Sequence, residues 1–131
     1  DFGNLNVDED NYYILKVNPN TRVSAITNEI TTSGTVTVKN KAGTTLASSS
    51  LITSGSTVNI TLSGTTYKYT VVVMGDTTGI GTVKMSSVMK VADYLFDKNV
   101  MKEAYYVKAA DVTGDGKITM SDVMKLANSL F

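Results

Sequence analysis

Oxygen-bearing side chains recur at regular spacing in the last stretch of the chain, DVTGDGKITMSDVMKLANSLF. Asp111, Thr113 and Asp115 occupy places one, three and five of a loop that closes with Asp122 at place twelve. A Ca²⁺ ion takes about six to eight oxygen ligands, and a loop of this period directs alternate side chains toward one centre. Gly116 stands at place six, where such a loop turns sharply and glycine tolerates a positive φ. The spacing predicts a calcium-binding loop; the alternative is a polar turn that caps the following helix.

Three further places of this loop have expected roles. Lys117 at place seven is expected to bind the ion through its backbone carbonyl, and Thr119 at place nine through a water. Ile118 at place eight is the apolar residue expected to pair with a second loop. Asp122 is one methylene shorter than the Glu of ordinary EF-hand loops. The predicted metal ligands are Asp111, Thr113, Asp115, Lys117 and Asp122.

The same stretch occurs once earlier, as DTTGIGTVKMSSVMKVADYLF from Asp76 to Phe96. Without a gap, the two copies are identical at twelve of twenty-one places, which indicates an internal repeat. The earlier loop has lost ligands, because Ile80 replaces Asp115 and Ser87 replaces Asp122. Since calcium affinity follows the ligand charge, this loop is expected to bind metal weakly or not at all, with Ile80 packed inward. Its equivalent ligand set is Asp76, Thr78, Thr82 and Ser87.

An EF-hand has a helix on each side of its loop, but the residues before Asp76, YTVVVMG, are typical of a strand that ends at Gly75. Each repeat is therefore a loop followed by one helix. Two such repeats joined by a short connector resemble the dockerins, which plug bacterial plant-polysaccharide enzymes and scaffold proteins into cohesin domains. The resemblance covers residues 75–131. It departs from the family pattern at Ile80 and Ser87, and at Thr78 and Thr113, where dockerins usually carry Asn.

The resemblance implies a non-catalytic module that needs calcium and binds a cohesin domain of a scaffoldin or cell-surface protein. It implies an extracellular setting, in a secreted or cell-surface complex of a bacterium. In dockerins, places ten and eleven of each repeat contact the cohesin, and here both pairs are Met-Ser. Because the repeats present nearly the same face, binding in two alternative orientations is expected. The predicted partner-binding residues are Met85, Ser86, Met89, Lys90, Met120, Ser121, Met124 and Lys125.

Two apolar stripes run along each repeat helix. The first is expected to be core and consists of Val88, Val91 and Leu95, matched by Val123, Leu126 and Leu130. The second consists of Met85, Met89, Ala92 and Phe96, matched by Met120, Met124, Ala127 and Phe131. Together the stripes span about 160° of each helix, more than a small two-helix packing buries. The second stripe is either core covered by other elements or a methionine-rich docking ridge, since methionine adapts to partner surfaces.

The predicted fold class is α+β, in three parts. Residues 1–11 are acidic and are predicted to be a linker. Residues 12–74 are predicted to form a small β-rich module, β-grasp-like or immunoglobulin-like, with a helix over residues 22–30. Residues 75–131 are predicted to form an all-α dockerin of two loop–helix repeats, or half EF-hands, with a connector helix from Asn99 to Ala109. By its position, the β-rich module resembles the X modules that precede some dockerins.

Composition argues against several classes of function. The twelve basic and twelve acidic residues balance, and no apolar run is long enough to span a bilayer. Neither nucleic acid nor a membrane is therefore an expected partner. Histidine is absent, and no pair of carboxylates suits glycoside hydrolysis, so no enzyme activity is predicted.

Two other functions stay open on the sequence alone. One is a free calcium buffer or sensor of the EF-hand type, which would need two competent loops. The other is a glycan-binding β module tethered by the dockerin, with Tyr12, Tyr13, Tyr67 and Tyr69 as stacking candidates. The chain is expected to be a monomer when free, and its Asp-Phe-Gly start suggests a piece of a longer protein.

Overall fold

Five strands form a single mixed sheet in the computed structural model, which describes residues 1–131. The strands are β1 Asn6–Asp8, β2 Tyr13–Val17, β3 Thr35–Lys39, β4 Thr57–Leu62 and β5 Thr65–Val73. Their order in the sheet is β1-β2-β5-β4-β3. The central strands β2 and β5 are parallel, and every other neighbouring pair is antiparallel. Parallel neighbours need a crossover connection. Residues 18–64 form this connection between β2 and β5, and they contain α1, β3 and β4.

Four α-helices accompany the sheet, and three of them follow it in the chain. They are α1 Val23–Thr27, α2 Met85–Tyr94, α3 Ala104–Ala110 and α4 Met120–Asn128, with a 3-10 turn at Lys98–Val100. None of these helices has the length and apolar character needed to cross a membrane.

The predicted fold class is wrong. The chain is a β-rich α+β fold with one five-stranded mixed sheet and four helices, rather than a β module followed by an all-α unit. All five strands are hydrogen-bonded in one sheet, which rules out an immunoglobulin-like sandwich. In residues 75–131, long loops separate the helices, and α3 packs against β5 of the sheet. The prediction failed because helical periodicity reports only on α2 and α4, and says nothing about what the intervening loops contact.

The core of the sheet forms because buried apolar residues alternate along its strands. Val71 and Val73 on β5 join Val23 and Ile26 of α1 in one buried cluster. Val72 points to the other face of β5 and is also fully buried, since α3 packs against that strand. The central strand is thus covered on both faces, once by α1 and once by a helix from the C-terminal half.

The first residues differ from the predicted linker. Asn6–Asp8 pairs with β2 as an edge strand, with Val7 opposite Ile14. Phe2 packs edge-on against Tyr69, with ring centroids 5.0 Å apart. The acidic composition indicated a solvated segment, but three of its apolar side chains, Phe2, Leu5 and Val7, pack against the core of the sheet.

A second buried cluster lies between α2 and α4, which pack against each other. Its helix residues are Val88, Val91, Val123 and Leu126, all members of the first apolar stripe. Leu95 and Leu130 complete that stripe and are half-buried. Met101 and Tyr106, each 2% exposed, enter the cluster from the connecting segment.

The connector is shorter as a helix than the predicted span from Asn99 to Ala109. Its 3-10 turn is capped by Asp97, whose Oδ1 accepts the N–H of Asn99 at 3.0 Å. The backbone is then extended at Met101, and α3 begins only at Ala104. The break in the helix lets the Met101 side chain reach the second cluster.

The sheet and the C-terminal helices meet closely at Gly75. Its N–H donates to the carbonyl of Ala109 at 2.8 Å. Its φ is +79°, and a Cβ at this position would lie 2.6 Å from Cδ2 of Leu126 and 2.7 Å from Cγ2 of Val83. Only glycine satisfies both the backbone conformation and this approach. The position thus holds the start of the first loop against α4.

Candidate functional site

Three carboxylates converge at the second loop. One oxygen from each of Asp111, Asp115 and Asp122 lies within 4.8 Å of the others. Asp122 is fully buried, Asp111 is half-buried and Asp115 is exposed. The cluster therefore has a buried floor at the start of α4 and an open side toward solvent.

Backbone amides hold Asp111 in place. Its Oδ1 accepts the N–H of Gly114 at 3.1 Å and that of Asp115 at 3.3 Å, and its Oδ2 accepts the N–H of Gly116 at 2.8 Å. Gly116 has a φ of +81°, as predicted for the sharp turn at place six. The loop thus wraps around this carboxylate and leaves its Oδ2 with one donor only.

Asp122 links the loop to the helix. It is the third residue of α4, and its Oδ2 accepts the N–H of Thr119 at 2.9 Å. Its Oδ1 accepts both the N–H of Thr113 at 3.1 Å and the hydroxyl of Thr113 at 2.9 Å. The hydroxyl oxygen of Thr113 also lies 3.4 Å from Asp111 Oδ1. The cap at the helix start and the candidate ligand at place twelve are therefore one side chain.

The pKa of Asp115 is lowered, mainly because its carboxylate accepts the N–H of Lys117 at 3.0 Å. Hydrogen bonds of this kind favour the ionised form. The exposed member of the cluster is thereby kept in its charged form. A set of three carboxylates and one hydroxyl suits a hard divalent cation such as Ca²⁺, so the second loop fits this ion.

The first loop closes in a different way. Asp76 is fully buried, and its two oxygens together accept four backbone N–H groups. The donors within the loop are Gly79, Ile80 and Gly81, and the fourth is Ser54, which precedes β4. Asp76 belongs to no cluster of three acidic side chains like that of the second loop, and places three, five and twelve of its own loop carry no carboxylate. A lone carboxylate already bonded to four amides does not fit Ca²⁺.

The other places of the first loop agree with this conclusion. Ser87 is buried, and its Oγ accepts the N–H of Lys84 at 3.1 Å, so it caps α2. The hydroxyl oxygen of Thr78 is buried without a partner, but it adds no charge to offset that of a divalent cation. Thr82 is half-buried. Ile80 is 40% exposed, so the prediction that it packs inward is wrong: its N–H turns toward Asp76 and its side chain turns out.

The second apolar stripe is exposed on both repeat helices. Met85 and Met89 are 49% and 53% exposed, and Met120 and Met124 are 53% and 54% exposed. Ser86 and Ser121 are also exposed beside them. The methionines are therefore not covered by the connector or by the sheet, whereas Ala92 and Ala127 of the same stripe are half-buried and pack against the second cluster. The two repeats thus present closely similar methionine faces.

The flanking lysines differ between the repeats. The Nζ of Lys90 lies 4.6 Å from the centroid of the Tyr106 ring. The Nζ of Lys125 instead donates to the carbonyl of Val112 at 3.0 Å. The two faces therefore match in their methionines and serines, but their lysines contact different groups: an aromatic ring for Lys90 and a backbone carbonyl for Lys125.

Two functional contacts escaped the sequence. Ser54 donates to Asp76 from another part of the chain, and the hydroxyl of Tyr106 accepts from Lys41 Nζ at 3.2 Å. Neither residue belongs to a motif, and each contact joins segments far apart in sequence. Only the fold could reveal them.

The tyrosines of the sheet do not form one flat platform. Tyr69 is 7% exposed and packs against both Phe2 and Tyr12. Tyr13 lies under Lys108, whose Nζ is 5.0 Å from the ring centroid. Tyr12 and Tyr67 are 44% and 40% exposed. Most of their surface is used for packing within the protein.

Comparison with known proteins bears on the C-terminal half alone. No curated protein and no solved structure matches the chain. Residues 75–131 match the family model of the dockerin type I domain, and these residues contain both loops, α2, α3 and α4. Over residues 75–131 the chain is therefore similar to dockerin type I domains, a family of non-catalytic modules of calcium-dependent, cohesin-binding assembly.

Proposed function

We propose that this chain anchors its parent protein in an extracellular, cellulosome-like complex by binding a cohesin through residues 75–131. Residues 12–74 would act as an X-module-like support for that domain. The observation that carries the proposal is the convergence of three carboxylates at the start of α4, beside an exposed methionine face that α2 repeats. Large exposed apolar patches commonly mark interaction sites.

The metal would be held by the second loop. Its ligands would be Asp111, Thr113, Asp115, the carbonyl of Lys117 and Asp122. An ion at this place supplies positive charge that offsets three clustered carboxylates. Because Asp122 also caps α4, the ion would tie the loop to the helix that carries Met120 and Met124, and part of its binding energy would become folding energy.

The partner would be held by the methionine faces. Each consists of two exposed methionines, one exposed serine and one lysine: Met85, Ser86, Met89 and Lys90 on α2, and Met120, Ser121, Met124 and Lys125 on α4. Methionine side chains adapt to a partner surface, and serine adds hydrogen bonds at the rim. Since the two faces are nearly the same, one cohesin would bind in two alternative orientations.

Binding to a panel of purified type I cohesin modules tests the proposal. We expect at least one cohesin to bind the full chain in Ca²⁺. In the Met85→Asp variant, which leaves the α4 face as the usable one, binding should weaken in chelator. Surface plasmon resonance with immobilised cohesins gives both measurements, and adding Asp115→Ala to Met85→Asp should weaken binding in Ca²⁺ as chelator does. Failure of every cohesin to bind in Ca²⁺ would contradict the proposal.

A further inference from the structure

The two loops share one frame of backbone hydrogen bonds, and they differ by one backbone donor. Asp76 and Asp111 stand at the same place of the repeat, and each accepts the N–H groups of the residues three, four and five positions later. Asp76 Oδ2 accepts one more N–H, that of Ser54, at 2.9 Å. The second loop has no equivalent of Ser54.

That extra donor brings the number of N–H groups bonded to the Asp76 carboxylate to four. An ionised carboxylate offers about four lone-pair sites, and four amides fill those of Asp76. Asp111 Oδ2 accepts a single N–H, from Gly116, and one oxygen of Asp111 lies within 4.8 Å of oxygens of Asp115 and Asp122. In the first loop, the amide of Ser54 donates to the Oδ2 that has only one donor in the second loop.

Ser54 is rigidly placed for this contact. It is fully buried, its hydroxyl donates to the carbonyl of Val73 at 3.1 Å, and the N–H of Val73 donates to its Oγ at 3.0 Å. The sheet holds the loop at a second point, where the N–H of Asn20 donates to the carbonyl of Gly81 at 2.8 Å. Contacts from β5 and from two loops of the sheet thus surround the first loop.

We propose that the sheet replaces the calcium ion of the first loop, so that the α2 face is presented without calcium while the α4 face requires it. Resting on the proposed function, this makes the α2 face a calcium-independent docking surface for the same partner. The first turns of α2 and α4 also differ in how far they depend on clustered carboxylates. Ser87 caps α2 and takes part in no carboxylate cluster, whereas Asp122 must both cap α4 and share its site with two other carboxylates.

Amide hydrogen exchange of the full chain, with Ca²⁺ and with chelator, tests this inference. In chelator, we expect the amides of Gly79, Ile80 and Gly81 and those of α2 to keep their protection. The amides of Gly114 and Gly116 and the first turn of α4 should lose protection by about tenfold or more, because exchange reports local opening. Equal loss in both loops would overturn the inference.

Calcium titration by calorimetry separates this inference from the proposed function. One ion per chain is expected, and Asp111→Asn should abolish it while the first loop stays protected. Two ions per chain would overturn the inference and leave the proposed function intact. No bound ion would contradict the metal site of the proposed function, and the exchange pattern of Gly79 to Gly81 in chelator would still decide the inference.

Discussion

The two loop–helix repeats have similar helices, but different groups surround the first aspartate of each loop. Both loops turn around an aspartate at place one, and both helices bury the first apolar stripe and expose the methionine stripe. In the first repeat, an amide of the sheet completes Asp76. In the second, Asp115 and Asp122 approach Asp111 and leave a cluster of negative charge.

The difference shows how a duplicated motif can lose acidic side chains and keep its shape. Buried polar groups need hydrogen-bond partners, and those partners can be protein groups as well as ions. Next to the sheet, the first loop has a protein donor within reach. The second loop accepts no hydrogen bond from Ser54 and exposes Thr113 to Lys117, so its own carboxylates and backbone amides organise it.

The largest expected effect concerns the shared faces. Met85→Asp with Met120→Asp should abolish cohesin binding in Ca²⁺, because each face loses an apolar anchor and gains a desolvated charge. Each single variant should cost little, since the other face remains. Titration calorimetry against one cohesin measures both, with Thr65→Asp on the exposed end of β5 as control. Complete loss from one single variant, with none from the other, would show a single binding orientation.

The next effect compares the two place-one aspartates. Asp76→Asn should lower the free energy of unfolding by about 3 kcal/mol or more, because it leaves buried N–H groups without an acceptor. Asp111→Asn in chelator should cost less than about 1 kcal/mol, since its loop is open to water. Urea unfolding in chelator measures both. Similar costs at the two positions would refute the contrast between the loops.

Calcium itself should have a moderate effect. At a concentration of about one hundred times its Kd, Ca²⁺ should stabilise the chain by about 2.7 kcal/mol through one site. Asp115→Ala, which removes the ligating oxygens, should remove most of this gain and leave the stability in chelator nearly unchanged, because its side chain is exposed. Denaturant unfolding with and without Ca²⁺ provides the measurement; an undiminished gain in the variant would exclude Asp115 as a ligand.

The smallest expected effect is that restored carboxylates give the first loop no calcium binding. Ile80→Asp with Ser87→Asp restores the carboxylates of the second loop to the first. We still expect one ion per chain by calorimetry, because the N–H of Ser54 already donates to Oδ2 of Asp76. A second ion in this variant would show that ligand loss, rather than the sheet, explains the first loop.

Local spacing was sufficient for the repeats. The carboxylates of the second loop lie within eleven residues of each other along the chain, and so do the members of each helix stripe. At such separations, backbone geometry alone decides which side chains meet. The convergence of Asp111, Asp115 and Asp122, the turn at Gly116 and the buried stripe of α2 and α4 were all predictable for this reason.

Only the tertiary structure decided what lies between distant segments. The sequence did not indicate that β2 and β5 pair in parallel, that residues 6–8 join the sheet, or that Ile80 turns outward. The bond from Ser54 to Asp76 spans 22 residues. Such a contact depends on the order of the strands and on which loops pack together. Neither feature produces a periodic pattern in the sequence. The sequence by itself determined two similar helices and one charged loop; the sheet decided that the other loop closes without that charge, because it brings a fixed amide to the buried carboxylate.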